Sequence, residues 1–258
     1  AMNNYGKMLE NGEEGVFEMN KKEAIKYYKL AIEQESDVGM FNYAKLLENE
    51  EDENNENKEE AAKFYKLAAD KGNTDAMNNF AYLLNHGEGV DENKEEALRY
   101  YKLAADKGNE NAMYNYAKML EKGEGCNEDK NEAIKYYKLA IEKGNAPAMN
   151  NYAYMLDHGE GVEINKVDAL NYYKLAADND YDIAMNNYAY MLDKGDGVEQ
   201  NKEEAIKYYK LAIERGNADA MINFAKLLEE GDGIEKNKEE ADRYYKMAQE
   251  KKKDDESS

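Results

Sequence analysis

An internal period of 36 residues constrains the fold of this chain more than any other feature of its sequence. The dipeptide Ala-Met recurs at this spacing from position 76 to position 220, and earlier members at positions 1 and 39 follow with slightly longer steps. Self-similarity of this length predicts a stack of repeats that bury their apolar faces against one another. We therefore predict one solenoid domain over residues 1–250, with repeats at 1–38, 39–75, 76–111, 112–147, 148–183, 184–219 and 220–250, and a charged, disordered tail at 251–258.

Each repeat contains two segments with helical periodicity. In the third repeat, Ala76, Phe80 and Leu84 lie on one face of the first segment, and Ala97 and Tyr101 lie on one face of the second. The alternation typical of strands is missing, and short amphipathic helices bury their apolar stripes only by stacking. The pattern predicts an all-α solenoid of antiparallel helix pairs with about seven repeats.

Local signals mark the helix ends. Each second helix is expected to open with Asn or Asp three residues before an acid, a pattern similar to a capping box. The opening residues are Asn20, Asn57, Asn93, Asp129, Asn165, Asn201 and Asn237. Gly72 and its counterparts are expected to end these helices in a left-handed conformation, with Glu35 and Asp180 as less favourable substitutes.

A Gly-x-Gly-Val sequence separates the two helices of several repeats, as at residues 87–90. One functional interpretation is a phosphate-binding loop. It is disfavoured because an acid lies between the glycines, no Lys-Ser/Thr follows and both flanks are helical. We therefore interpret the loop as a chain reversal in which Val90 packs into the hairpin.

Charge and composition exclude several classes of function. The chain has 56 acidic and 35 basic residues, a net charge of −21 and three arginines, so we expect no nucleic-acid partner. No apolar run is long enough for membrane insertion. The single cysteine, Cys126, favours a reducing compartment. We expect a cytoplasmic protein, or one in the endoplasmic-reticulum lumen if a signal peptide precedes this chain, which begins inside a repeat like an excised fragment.

The repeat pattern resembles that of the Sel1-like repeat family, a relative of the tetratricopeptide repeats. In the fourth repeat the matching residues are Ala112, Tyr116, Ala117, Gly123, Gly125, Ala133, Tyr136, Tyr137, Ala140 and Gly144. Tyr-Ala replaces the family's Leu-Gly and Tyr-Tyr replaces its Trp-Tyr, exchanges that preserve the packing. In the second repeat an acidic stretch at 50–56 replaces the glycine loop, and we expect a solvated excursion there. The resemblance implies a right-handed superhelix whose first helices line a concave face, and an adaptor role in protein complexes.

If the first helices line a groove, the residues between their apolar positions face it. One such column, represented by Asn79, is Asn in every repeat, although Asn is a poor helix former. Two interpretations are compatible. The amides bond the adjacent helix and set the repeat stagger, or they pair with the backbone of an extended peptide, since an amide both donates and accepts.

Two further columns lie on the same helices. One is Lys or Tyr in every repeat, and the long side chains of both residues suit contact with a peptide. The other is mostly acidic and would select a basic peptide, unless its acids pair along the helix. The candidate peptide-binding residues are Asn42, Asn79, Tyr82, Asn115, Lys118, Asn151, Tyr154, Asn187, Tyr190, Asn223 and Lys226.

The sequence predicts no catalytic residue, metal site or cofactor. His86 and His158 lie two repeats apart, and the repeat of Cys126 has no histidine to act as a base.

We predict a scaffold that binds a protein or peptide, of basic character if the acids are free, on the concave face. The alternatives are an architectural segment of a larger protein, such as a component of endoplasmic-reticulum degradation or an activator of membrane enzymes, and a hydrolase like the bacterial relatives labelled β-lactamases. The sequence gives no indication of oligomeric state.

Overall fold

The computed structural model describes residues 2–11, 20–49 and 56–256, and regular secondary structure within these ranges is helical throughout. The helices are α1 (Met2–Asn11), α2 (Lys21–Glu33), α3 (Asp37–Glu48), α4 (Glu56–Asp70), α5 (Thr74–His86), α6 (Lys94–Asp106), α7 (Glu110–Lys122), α8 (Lys130–Glu142), α9 (Ala146–His158), α10 (Lys166–Asp178), α11 (Asp182–Lys194), α12 (Lys202–Glu214), α13 (Ala218–Glu230) and α14 (Lys238–Glu256). Consecutive helices form one pair for each predicted repeat, so the all-α repeat fold is confirmed. Residues 12–19, and residues 50–55 of the acidic stretch, lie outside the described residues.

The chain separates into two compact units, Ala1–Tyr136 and Tyr137–Ser258, and the division lies inside α8. The sequence predicts a single domain over residues 1–250. Because each repeat of an array packs only on its neighbours, contacts are local and the array has no central core that all repeats share.

Alanine and aromatic side chains form the core of each repeat. Ala81 and Ala97 are fully buried, which allows the paired helices to approach closely. The ring centroids of Phe80 and Tyr100 lie 5.1 Å apart at an interplanar angle of 86°, an edge-to-face geometry that aromatic pairs prefer. The next residue, Tyr101, is buried. The adjacent tyrosines therefore divide their roles, with the first ring joining the two helices and the second filling the core.

The predicted caps form at most second helices. Asn93 accepts a hydrogen bond from the backbone N–H of Glu96 at 3.0 Å, and its own amide donates to the Glu96 carboxylate at 3.4 Å. Asn57 is the exception, because α4 already begins at the preceding residue. Glu35 and Asp180 take the predicted left-handed conformation, with φ of 56° and 66°.

The Gly-x-Gly loop of the third repeat docks on the second repeat. Gly89 has a φ of +65°, and a Cβ atom there would lie 2.3 Å from the carbonyl oxygen of Lys58. The Lys58 ammonium pairs with the carboxylate of Glu88, between the two glycines, at 2.9 Å. These contacts support the interpretation of the loop as a structural connection.

The predicted disordered tail is wrong for residues 251–256, because α14 continues through Glu256. Lysine and glutamate favour helix, and neither glycine nor proline interrupts this segment. Lys251 pairs with Asp255 at 2.6 Å one turn later, and Lys252 reaches Asp219 at 2.9 Å. Even this longest helix is highly charged, and none of the described helices combines the length and the apolar character needed to cross a membrane.

Candidate peptide-binding face

The first helix of each repeat carries three columns at intervals of three residues, and we call the surface that these columns form within each compact unit the first-helix face. Since three residues are slightly less than one helical turn, the columns lie side by side. The amide column is Asn4, Asn42, Asn79, Asn115, Asn151, Asn187 and Asn223; the Lys/Tyr column is Lys7, Lys45, Tyr82, Lys118, Tyr154, Tyr190 and Lys226; and the acid column is Glu10, Glu48, Asn85, Glu121, Asp157, Asp193 and Glu229.

Exposure differs between the columns. From the second repeat onward the amide column is half-buried, whereas the Lys/Tyr column is exposed. Tyr82, Tyr154 and Tyr190 expose 42%, 41% and 47% of their surface. Such exposure is high for a large aromatic residue, so the Lys/Tyr column is the part of this face that is most open to a partner.

The amide column forms hydrogen bonds between repeats. In the second unit the donors and acceptors connect in series: Asn223 to Asn186 (3.0 Å), Asn186 to Asn187 (3.5 Å), Asn187 to Asn150 (3.0 Å), Asn150 to Asn151 (3.3 Å) and Asn151 to the hydroxyl of Tyr137 (3.1 Å). Each bond between repeats spans 37 residues of sequence. The series ties α13 to α11 and α11 to α9, and it ends on the second helix α8.

A shorter series runs through the first unit. Asn115 donates to Asn78 at 3.0 Å, and Asn78 donates to Asn79 at 3.2 Å. The equivalent of Asn78 in the second repeat is Phe41, which offers no amide acceptor. Sequence reasoning missed the accepting residues, although the recurrent Asn-Asn dipeptide, as at 78–79, was a visible signal.

These bonds support the interpretation that the amide column sets the repeat stagger. In Asn115, Asn187 and Asn223 an amide N–H is already committed to the neighbouring repeat. A half-buried amide that holds the stagger offers fewer groups to a peptide than the sequence alone implies. Binding of a peptide by the amide column therefore stays a prediction. The exposed Lys/Tyr column is the stronger candidate for contact with a peptide.

Most acids of the acid column have partners within the protein. Glu48 accepts a hydrogen bond from the hydroxyl of the buried Tyr65 at 2.6 Å, and Glu229 accepts one from Tyr245 at 3.2 Å. Burial, and then the adjacent Glu48 carboxylate, raises the pKa of Tyr65 far above its usual value. The tyrosine therefore remains a neutral donor, and Glu48 is a structural acceptor.

Repeats five and six satisfy their acids in a different way. Asp157 pairs with the ammonium of Lys166 at 2.6 Å, and Asp193 pairs with that of Lys202 at 2.5 Å. Aspartate is one methylene shorter than glutamate, and these carboxylates bond a lysine at the start of the second helix. The acids that would have selected a basic peptide are thus engaged inside the repeats.

The Lys/Tyr and acid columns vary together. A lysine in the first accompanies a glutamate three residues later in repeats one, two, four and seven, whereas a tyrosine accompanies Asn or Asp in repeats three, five and six. Sequence analysis treated the columns separately and missed this pairing. The pairing defines two kinds of repeat, which we call Lys–Glu repeats and Tyr–Asx repeats.

The two histidines that were considered as metal ligands, His86 and His158, belong to Tyr–Asx repeats. The rings of Tyr154 and His158 stack at 4.0 Å, and those of Tyr82 and His86 lie 4.1 Å apart. Each histidine Nδ1 also lies within 3.0 Å of the backbone carbonyl oxygen of its tyrosine. Residues 2–11, 20–49 and 56–256 contain no group of three or more potential metal ligands.

A cleft opens on the first-helix face between repeats three and four. Its volume is about 210 Å³, and three of the predicted binding residues, Tyr82, Asn115 and Lys118, line it. The other lining residues are Asn85, His86, Tyr101, Met119, Lys122 and Glu124. The cleft therefore combines parts of all three columns with residues that the sequence did not single out.

Comparison with solved structures shows which proteins share this fold. A Sel1 repeat protein from Oxalobacter formigenes superposes with a TM-score of 0.84 at 24% identity, covering 96% of both chains. The protective antigen c5321 of uropathogenic Escherichia coli gives 0.70 at 23% identity, covering 96% of this chain and 60% of that one. The immunity protein Pa5087 from Pseudomonas aeruginosa gives 0.57 at 20% identity, covering 83% and 81%. No curated protein matched the chain.

The sequence model of the Sel1 repeat family matches nearly the whole chain. The matched segments are residues 1–36, 38–73, 74–109, 111–145, 146–181, 182–217 and 218–251. Their spacing agrees with the 36-residue period, and each described match contains one helix pair. With the helix pairs, the glycine loops and the family match in agreement, this chain belongs to the Sel1 repeat family.

Proposed function

We propose that this chain is a non-catalytic scaffold that binds an extended peptide segment of a protein partner along the first-helix face. The observation that carries the proposal is the Lys/Tyr column, which places a long, exposed, polar-tipped side chain on every repeat. Tyrosine gives a large contact area at a low entropy cost, and aromatic residues dominate the binding energy of protein interfaces.

The rest of the face favours binding by holding the column in place. Amide bonds connect several neighbouring first helices, such as α11 to α9, and tyrosine–glutamate bonds connect first to second helices. A scaffold that is already ordered loses little conformational entropy when it binds. A peptide could therefore make many small contacts with repeats whose spacing is fixed in advance.

The partner chemistry that the face supports is mixed. The net charge of −21 attracts basic partners over long distances. At the surface itself, however, acids such as Glu48 and Asp193 are already bonded, and the exposed column carries lysines. We therefore propose a peptide with aromatic or apolar anchors for the tyrosines, with no requirement for a basic sequence.

The hydrolase alternative finds no support in the described residues. Burial, and then the nearby Asp129, raises the pKa of the Cys126 thiol, which disfavours the reactive thiolate. Sel1 repeat proteins are typically scaffolds without catalytic activity. The architectural alternative predicts that no peptide is bound, so the following experiment separates it from our proposal.

The test selects peptides and then removes the anchors. Peptides that bind the protein are selected from a random display library, and their affinities are measured by fluorescence anisotropy. The double variant Tyr154→Ala/Tyr190→Ala should weaken binding by about tenfold or more, as the loss of aromatic anchors usually does.

The matched control truncates two exposed side chains on the second helices of their repeats, α6 and α10. Leu103 and Leu175 are comparably exposed, at 40% and 44%. The variant Leu103→Ala/Leu175→Ala should leave the affinity within about twofold, because its effect is that of a surface substitution outside the interface. Failure to select any peptide, or an equal loss in the control, would contradict the proposal.

A further inference from the structure

The third repeat lacks a bond that the second repeat has. In the second repeat the buried Tyr65 hydroxyl donates to Glu48 at 2.6 Å. In the third repeat Asn85 replaces the glutamate, and the equivalent hydroxyl of Tyr101 forms no hydrogen bond within the described part of the chain. The side-chain oxygen of Asn85 is likewise buried without a donor there. One donor and one acceptor are thus unpaired at the same place.

The unpaired groups border the cleft between repeats three and four. Tyr101 and Asn85 both line it, and Tyr82 and His86 form one side as a ring pair 4.1 Å apart. Its volume of about 210 Å³ is below the roughly 300–1,000 Å³ of typical small-molecule pockets. The cleft therefore has the size for a single side chain of a bound peptide.

The charges around the cleft favour an anion, although the chain as a whole is acidic. Lys118 lines the cleft and has no partner among the residues that the structure describes. Lys122 also lines it, and the single acid in the lining, Glu124, is flanked by Lys94 at 3.7 Å and Lys122 at 4.0 Å. Two lysines against one shared glutamate leave the lining with a net positive charge.

We propose that this cleft receives the carboxylate of a glutamate side chain from a bound peptide, which takes the place that Glu48 holds in the second repeat. The Tyr101 hydroxyl donates to one carboxylate oxygen, and Lys118 supplies the counter-charge at the other. A carboxylate only accepts hydrogen bonds, so it suits a phenol and an ammonium together. This proposal rests on the proposed peptide binding and names one of its specificity determinants.

The test uses N-acetyl-glutamate amide, with N-acetyl-glutamine amide as its neutral isostere. In titrations followed by amide NMR, the glutamate compound should shift the signals of residues 82–86, 101 and 115–122. The glutamine compound should not shift them. Equal shifts from both compounds would overturn the proposal, and an equal affinity for inorganic phosphate would assign the site to free anions and overturn it as well.

Three variants locate the contact. Tyr101→Phe and Lys118→Gln should each weaken binding of the glutamate compound by about tenfold, the usual loss of a hydrogen bond to a charged group. Asn85→Glu should abolish it, because the protein's own carboxylate then bonds Tyr101. Tyr65→Phe removes a hydroxyl outside the cleft and should leave the affinity unchanged. Wild-type affinity in Tyr101→Phe or in Asn85→Glu, with the helix content intact, would contradict the proposal.

The outcome is separable from that of the peptide selection. If selected peptides depend on Tyr154 and Tyr190 but bind Asn85→Glu as tightly as the wild type, the glutamate site is wrong and the scaffold function stands. If no peptide is selected while the glutamate compound binds the cleft, the anion chemistry stands and the scaffold function fails.

Discussion

Repeats two and three have the same helix pair and the same buried tyrosine, yet one is closed and the other is open. In repeat two, Glu48 accepts a hydrogen bond from the hydroxyl of Tyr65. In repeat three, the shorter Asn85 leaves the hydroxyl of Tyr101 unpaired, and a cleft lies beside it. Glu48 and Asn85 differ by one methylene group and one charge. This difference separates a repeat that pairs its own tyrosine from one that we propose binds a carboxylate of a partner.

The difference recurs in the second unit. Tyr173 and Tyr209 are also buried, and the hydroxyl of Tyr209 has no partner in the described part of the chain. There the acid column carries aspartates, such as Asp193, whose partner is Lys202. Repeats three and six thus share a phenol donor without a partner among the described residues, and both expose a tyrosine on the first-helix face.

Alkaline pH should remove the difference between the two repeats by ionising both tyrosines. Burial raises the pKa of Tyr65 and of Tyr101 well above the usual 10.0. Below pH 10 the neutral phenols are stable in both the folded and the unfolded chain. Above it the unfolded chain loses protons first, so stability falls by about 1.4 kcal/mol per pH unit for each tyrosine.

We expect unfolding of the helices and phenolate formation to occur together as the pH rises. Circular dichroism and phenolate absorbance, recorded on the same samples, check this. Ionisation of the buried Tyr65 and Tyr101 while the helices persist would contradict the expectation.

Gly89→Ala should break the junction between the two repeats. The added Cβ atom meets the Lys58 carbonyl, and the positive φ strains an alanine. We expect a loss of about 2–4 kcal/mol in the free energy of unfolding, measured with urea. Gly87→Ala is the control, because its φ is also positive at +68° but its nearest neighbour is 3.4 Å away. An equal effect of both variants would show that backbone strain alone matters.

The smallest expected effect distinguishes the hydroxyls of the two buried tyrosines directly. Tyr65→Phe leaves Glu48 without its donor and should destabilise the protein by about 1–2 kcal/mol. Tyr101→Phe removes a hydroxyl that lacks a partner and should change the stability by less than about 0.5 kcal/mol. Urea unfolding of the two variants provides the measurement, and equal losses would mean that Tyr101 has an acceptor in solution.

Much of the fold could be predicted because its signals are local. The helix pairs follow from the spacing of Ala76, Phe80 and Leu84, and the cap at Asn93 depends on a residue only three positions away. The exposed Lys/Tyr column was also predictable, since helical periodicity alone separates Tyr82 from the apolar stripe. The end of α14 was missed, because a charged sequence is compatible with both a solvated tail and a continued helix.

The candidate site was only partly predictable. The Asn115–Asn78 bond spans 37 residues of sequence, and the Tyr65–Glu48 bond spans 17. Such partners depend on the stagger between helices and on side-chain length, and neither is visible in the spacing of a single helix. Sequence reasoning therefore assigned the asparagines and acids to columns of the first helices, but it did not show that most of them were already bonded.

The period, the helix pairs, their caps and the columns of the first helices were determined by the sequence itself, because each depends on residues within one or two turns. The tertiary structure alone decided which polar groups are left without a partner. That outcome depends on the distances between groups from different helices, and in repeat three it leaves the Tyr101 hydroxyl without a partner among the described residues, beside a cleft.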